Sequence, residues 1–229
     1  MSVIIWNCRG AGNEEFRRIF RSMLDYNRPF LVALLETKLA GHQAIMEDFG
    51  FTKMTQVAAQ GNSGGMVMMW NEAEVTIDQV ASTEQEIHAM VKLNDSPHQW
   101  LLSVIYASCL LEEKSILWNN LKIVANSFKG PWLVTGDFNE VTGANEKFGG
   151  LPVNNNRVSN FINCIDYCEL LDLGFKETTA SNTTAEIFDG ATNFGVVSAA
   201  TVPAVLPDIH GVANVLLHPQ LWQTLMSKY

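Results

Sequence analysis

The chain has 229 residues, 47% of them hydrophobic and 17% charged, which excludes a disordered tail or a coiled coil. That length suits one sizeable domain, long enough to bury a core without disulfides. A net charge of −9 argues against a general nucleic-acid-coating protein, yet leaves room for an enzyme that grips phosphate with a few cations or a metal.

Residues 2–7 are rich in β-formers and run into the turn-prone Arg9-Gly10-Ala11-Gly12, so they read as a buried strand feeding a loop. Phe16, Ile19, Phe20, Met23 and Leu24 form the stripe of an amphipathic helix. Residues 31–35 are an apolar run closing on Glu36, a second buried strand, and residues 41–49 read as a short helix. Four strands follow at 64–70, 74–80, 86–93 and 99–106. Leu117, Leu121, Val124 and Phe128 mark a second good helix, residues 131–139 a further strand, and Val158, Phe161, Ile162 and Ile165 a helix running to Leu171. Consecutive strands without crossover helices fit a mixed sandwich better than a doubly wound parallel sheet. From 176 to 215 no period survives, and the segment reads as a long irregular loop with one or two strands, or as a damaged piece of a domain. No run approaches the ~20 apolar residues of a membrane span. The N-terminus has no basic leader followed by a long apolar stretch, so the chain reads as soluble and intracellular. The four cysteines lack metal-site spacing and read as reduced, buried thiols.

Three polar groups close buried strands. Asp137 and Asn139 follow Trp132-Leu133-Val134-Thr135-Gly136, and in extended chain both would project to one side. A carboxylate beside an amide at a strand end suits proton abstraction from water and orientation of a phosphate oxygen. The plain alternative is a turn, for which Gly, Asp and Asn are the usual residues. Asn7 and Glu36 end the first two strands, and one carboxylate with an amide oxygen is the sparse donor set Mg²⁺ accepts.

Trp-Asn-Cys-Arg-Gly at 6–10, Glu-Thr-Lys at 36–38, Gly64-Gly65 leading to Trp70, Ile105-Tyr106, the 131–140 segment and Lys147-Phe148-Gly149-Gly150 come in one order. In these motifs the chain resembles the endonuclease/exonuclease/phosphatase superfamily, and more closely the endonuclease domain of plant LINE-type non-LTR retrotransposons. The resemblance covers residues 2 to about 175. It implies an α/β (α+β) fold: a four-layer αββα sandwich of two mixed β-sheets flanked by helices, DNase I-like, over one domain with a divergent part at 176–229. It also implies Mg²⁺, with Mn²⁺ as a substitute, a DNA or RNA phosphodiester substrate, and action in the nucleus. By matched motif, Asn7 and Glu36 would place the metal. Tyr106 would contact the phosphate, Asp137 would orient or deprotonate water, and Asn139 and Arg9 would hold the substrate.

The pattern then breaks. The family's later Thr-Trp strand, its arginine-bearing stretch and its Ser-Asp-His tripeptide find only Thr178-Thr179-Ala180-Ser181-Asn182, residues 187–193 without arginine, and Gly211-Val212-Ala213. Asp208 and His210 lie nearby, one residue apart, and His210 is the candidate stand-in. No lysine or arginine lies between Lys176 and Lys228, so little positive charge comes from that side. The resemblance thus implies an impaired endonuclease, and leaves open a non-catalytic relic or binding module on the same fold.

Overall fold

A computed structural model describes residues 2–142, 154–172, 194–198, 208–211 and 214–217. Two six-stranded mixed sheets make the framework. The first holds β1 (Ser2–Asn7), β2 (Leu31–Leu35), β3 (Lys53–Val57), β4 (Met66–Trp70), β10 (Phe194–Ser198) and β11 (Asp208–Gly211), in the order β11-β10-β1-β2-β4-β3. The second holds β5 (Val75–Ser82), β6 (Glu86–Leu93), β7 (Gln99–Tyr106), β8 (Trp132–Asp137), β9 (Leu171–Asp172) and β12 (Asn214–Leu217), in the order β5-β6-β7-β8-β12-β9. Among the described residues only β1–β2 and β7–β8 pair in parallel, and each strand that ends in a polar candidate belongs to one of these pairs.

Alternation of side chains along each strand divides the core into three apolar layers. Between the sheets, Val3, Ile5, Ala33, Met66 and Met68 meet Ile87, Ala89, Val91, Val104 and Leu133. On the outer face of the first sheet, Ile4, Trp6, Val32 and Met69 pack beneath α1 (Glu14–Asn27) and α2 (Gln43–Asp48). On the outer face of the second, Leu101, Ile105, Trp132 and Val134 pack beneath α3 (Leu111–Ser127) and α4 (Asn155–Tyr167). Strands covered on both faces must be apolar throughout, which is why β1, β2 and β4 read as unbroken hydrophobic runs. The expected αββα sandwich is the observed fold.

Local chemistry sets the helix ends. Asn13 caps α1 by accepting a hydrogen bond from the Phe16 amide at 2.7 Å, with Glu14 and Glu15 in the first turn. The fourth helix stops at Tyr167, short of the expected Leu171. Glu169 turns into the left-handed region at φ 53°, and the Glu169 and Leu170 amides bond back to the Asp166 and Ile165 carbonyls. That is a Schellman closure without its usual glycine, and it frees Leu171 to pair with Leu217.

Three further expectations need correcting. Residues 53–57 form an edge strand, passed over because Lys-Met-Thr-Gln-Val is half-exposed and carries no long apolar run. The late segment supplies strands to both sheets, because β10 and β11 extend the first and β12 lies between β8 and β9. Cys109 is exposed and Cys8 half-buried, while Cys164 and Cys168 are buried. Residues 143–153, 178–182 and 187–193 of the expected motifs lie outside the described residues. Among the described residues no helix is long and apolar enough to cross a membrane.

Candidate active site

The carboxyl ends of both parallel strand pairs open at the same end of the sandwich, where α/β sheets generally bind ligands. Asn7 ends β1 and Asp137 ends β8, and at this end a hydrogen bond joins the two sheets, Asn7 Nδ2 donating to Asp137 Oδ2 at 2.8 Å. The other carboxylate oxygen, Asp137 Oδ1, accepts the Asn139 amide at 2.9 Å. Asn139 has φ 47°, so the two residues share a location through an Asx-type turn, not through the pleat expected from their spacing. The Asn139 side chain donates from Nδ2 to the Ala107 carbonyl at 2.7 Å, which ties this turn to the end of β7. Phe138, between them, is buried against Trp118 and Phe161 and anchors the turn to α3 and α4.

Glu36 stands at φ 53° and Lys38 at φ 57°, with Lys38 Nζ 3.2 Å from Glu36 Oε1. Arg9, at φ 50°, donates its amide to Asn7 Oδ1 at 3.2 Å. Four of the six described non-glycine residues with positive φ are therefore Arg9, Glu36, Lys38 and Asn139. Each such backbone costs of order 1–3 kcal/mol, and a cluster of them marks a site whose geometry the surroundings enforce. The enforcement is visible at Glu36. Thr37 and Lys38 donate their amides to the Gly65 and Gly64 carbonyls at 3.0 and 2.9 Å. A side chain at Gly65 would meet Thr37 Oγ1, so that approach needs glycine. Tyr106 ends β7 opposite Asp137, within electrostatic reach of the Glu36 carboxylate. Burial, then the Glu36 and Asp137 charges, push its phenol well above the usual range, so it stays a neutral donor at any physiological pH.

Behind Glu36 lies a buried chain. Thr37 Oγ1 is 2.6 Å from His42 Nε2, and His42 Nδ1 is 2.7 Å from Gln56 Oε1. An amide oxygen only accepts, so Nδ1 carries the proton and Nε2 accepts from Thr37. Burial holds the imidazole below its ordinary 6.5 despite the Gln56 bond. The unfolded chain then takes up the proton first as pH falls. The stability held by neutral His42 is complete above about pH 6.5 and is lost progressively below it. Urea unfolding between pH 7.5 and 5 should show a falling midpoint, with a flatter profile in His42→Gln.

A second support lies under Asn139. Lys114 of α3 is fully buried, and its ammonium donates to the Asn139 carbonyl and, at 2.9 Å, to Glu140 Oε2. Arg157 Nε reaches the same Glu140 oxygen at 2.9 Å. Burial lowers the Lys114 pKa, against the pull of Glu140. Lys114→Met leaves that carbonyl with only a long 3.4 Å contact from Arg157 Nη2, while Arg157 Nε still neutralises Glu140, so a destabilisation of about 1–3 kcal/mol is expected. Chemical unfolding measures it, with Lys114→Arg recovering part of the loss.

Neither Lys114, His42 nor Gln85 was foreseen from the sequence. Gln85 accepts the Tyr106 amide on its carbonyl and the Ser108 amide on Oε1, both at 2.8 Å, and so sets the end of β7. Its only signal was a place just before an expected strand. Beside Tyr106 and Asn139 opens a cavity of about 480 Å³.

His210 lies on β11 opposite Val196, which pairs with Ile4. Ile4 precedes Asn7 by three residues, roughly 10 Å along a strand, so the register sets His210 back from the cluster. Gly211, one residue later, faces Gly195 at the Asn7 end of the sheet, and Asn214 opens β12 opposite Gly136. Residues 212 and 213, between these two strands in sequence, lie outside the described residues.

The donor set suits a hard cation. Asn7 presents Oδ1, whose partner is one long amide contact, and Glu36 is a carboxylate balanced by Lys38. Among the described residues no group of three or more His, Cys, Asp or Glu converges, and Mg²⁺ does not require one. Two packed mixed sheets with oxygen donors and an oriented carboxylate at their shared carboxyl end define a fold of the DNase I type. The chain belongs to the endonuclease/exonuclease/phosphatase family, whose model matches residues 4–205. Among solved structures it is similar to the AP endonuclease LMAP from Leishmania major, at 10% identity and TM-score 0.64, covering 97% of this chain and 80% of that one. The endonuclease domain of TRAS1, a telomere-specific non-LTR retrotransposon, aligns at 11% identity and TM-score 0.60, over 97% and 87%. An AP endonuclease from Archaeoglobus fulgidus aligns at 11% and 0.58, over 97% and 88%. No curated protein matches the chain in sequence.

Proposed function

We infer that this chain is a Mg²⁺-dependent phosphodiesterase of the endonuclease kind, derived from a LINE-type element of plants, working far below the rate of a complete site. The observation that carries the reading is the bond between Asn7 and Asp137. It ties a metal-side residue on one sheet to the candidate base on the other, and fixes which carboxylate lone pairs remain for water. Asn7 and Glu36 would hold the ion, which supplies charge neutralisation at the phosphate when bound. Asp137 orients a water and takes its proton. Tyr106 and the second Asn139 amide hydrogen donate to phosphate oxygens, and Arg9 binds the strand. DNA is the substrate class and the nucleus the site of action.

The impairment follows from the last motif, since Val212 and Ala213 offer neither a charge nor a hydrogen-bond donor where Asp and His are expected. Mn²⁺ titration followed by water-proton relaxation tests the metal half of the reading. One ion should bind, and Glu36→Gln should weaken it at least ~10-fold. Equal binding by the two proteins would remove Glu36 from the site. A fold kept only for binding is the outcome if metal binds and no phosphodiester is cleaved.

A further inference from the structure

We propose that the cavity beside Tyr106 and Asn139 is a subsite for an uncharged nucleoside, and that the remaining phosphates of the strand run the opposite way, toward Arg9 and Lys38. The proposal rests on the phosphodiesterase reading above and specifies which side of the scissile phosphate is bare of charge. The observation is a polarity across the site. The cavity, about 480 Å³, falls in the range of small-molecule sites and is walled by the β3–β4 connection, the β5–β6 turn and the start of α3. Its lining carries two carboxylates, Glu84 and Glu113, and no lysine, arginine or histidine among the described residues. Its other groups are amides, hydroxyls and backbone, with Gln60, Gln85 and Ser108 in reach of a bound molecule. Gln60 donates to the Glu84 carboxylate and so joins the two sheets across the rim. The cations of the site, Arg9 and Lys38, stand on the loops after β1 and β2, and neither lines the cavity. A second phosphate in this cavity would face two carboxylates. A base or sugar, hydrogen-bonded by amides and hydroxyls, would not.

Cys109 supplies the test, because it lines the cavity and is exposed. Cys164 and Cys168 are buried, and Cys8 is half-buried with its thiol donating to the Leu35 carbonyl at 3.3 Å, so one thiol, Cys109, should react fast with a disulfide reagent in the folded protein. Cys109→Ser should abolish that fast phase. In Mg²⁺, thymidine 5′-monophosphate should slow it at least ~5-fold, and thymidine 3′,5′-bisphosphate at equal concentration should protect ~5-fold less, as like charges repel. The double variant Glu84→Lys/Glu113→Lys should reverse the order. Thymidine alone should protect at higher concentration, with or without Glu36→Gln. Protection by thymidine without any gain from the phosphate or Mg²⁺ would keep the subsite and discard the phosphodiesterase reading. Bisphosphate protecting as well as monophosphate, an order unchanged by charge reversal, or no protection by any nucleoside would overturn the proposal.

Discussion

Replacing Val212 with Asp and Ala213 with His should raise Mg²⁺-dependent nicking by about 10²–10³-fold. The size follows from the charge such groups stabilise in the transition state, where one well-placed donor is worth a factor of that order. The place follows from the register. Gly211 closes β11 at the Asn7 end, Asn214 opens β12 opposite Gly136, and Asp137 is the next residue of β8. The two substituted residues lie between these points in sequence. The same pair placed at Asp208 and His210 would not serve, because His210 shares its register with Val196 and Ile4. Gel assay of supercoiled plasmid reads the gain. A fold-change near one would mean that the loss of activity lies elsewhere.

Gly136→Ala should destabilise the protein by about 3 kcal/mol or more, lowering Tm by roughly 6–12 °C. Gly136 has φ 137°, and a Cβ there would collide with the backbone carbonyl of Ile105 in the paired strand. Backbone cannot step aside as a side chain can, so β7 and β8 would part at the residues that carry Tyr106 and Asp137. Activity should fall together with stability in this variant. Gly61→Ala is the contrast, since its φ of 60° is strained but nothing stands within 4 Å of the added carbon. It should cost about 1 kcal/mol and leave the site unchanged.

The sandwich was legible because its central strands are buried on both faces. Runs such as Val3-Ile4-Ile5-Trp6 and Leu31-Val32-Ala33-Leu34-Leu35 admit no other use in a chain of this size. Polar residues that end such runs stand out, and Asn7, Glu36 and Asp137 were found that way, while Tyr106 entered through the resemblance alone. What supports them was not legible. Lys114 looks like any lysine on a helix surface until α3 docks and buries it over the Asn139 carbonyl. His42 reads as an ordinary residue at the start of a short helix until Thr37 and Gln56, from either side in sequence, close on its two ring nitrogens. The geometry of Asp137 and Asn139 was misread because alternation applies to strands, and the strand stops at Asp137. The late strands escaped because Thr, Ala, Asn and Val at 176–215 give no period, and pairing with β1 and β8 decides their place instead.

In the proposed function Asp137, oriented by Asn7 from the facing sheet, activates water for phosphodiester hydrolysis. The most direct measurement is nicking of supercoiled plasmid by the purified chain in Mg²⁺ and in EDTA, beside a folded Asp137→Ala variant. Slow nicking that needs Mg²⁺ and falls at least ~10²-fold in the variant is expected. Nicking that persists undiminished in Asp137→Ala would contradict it.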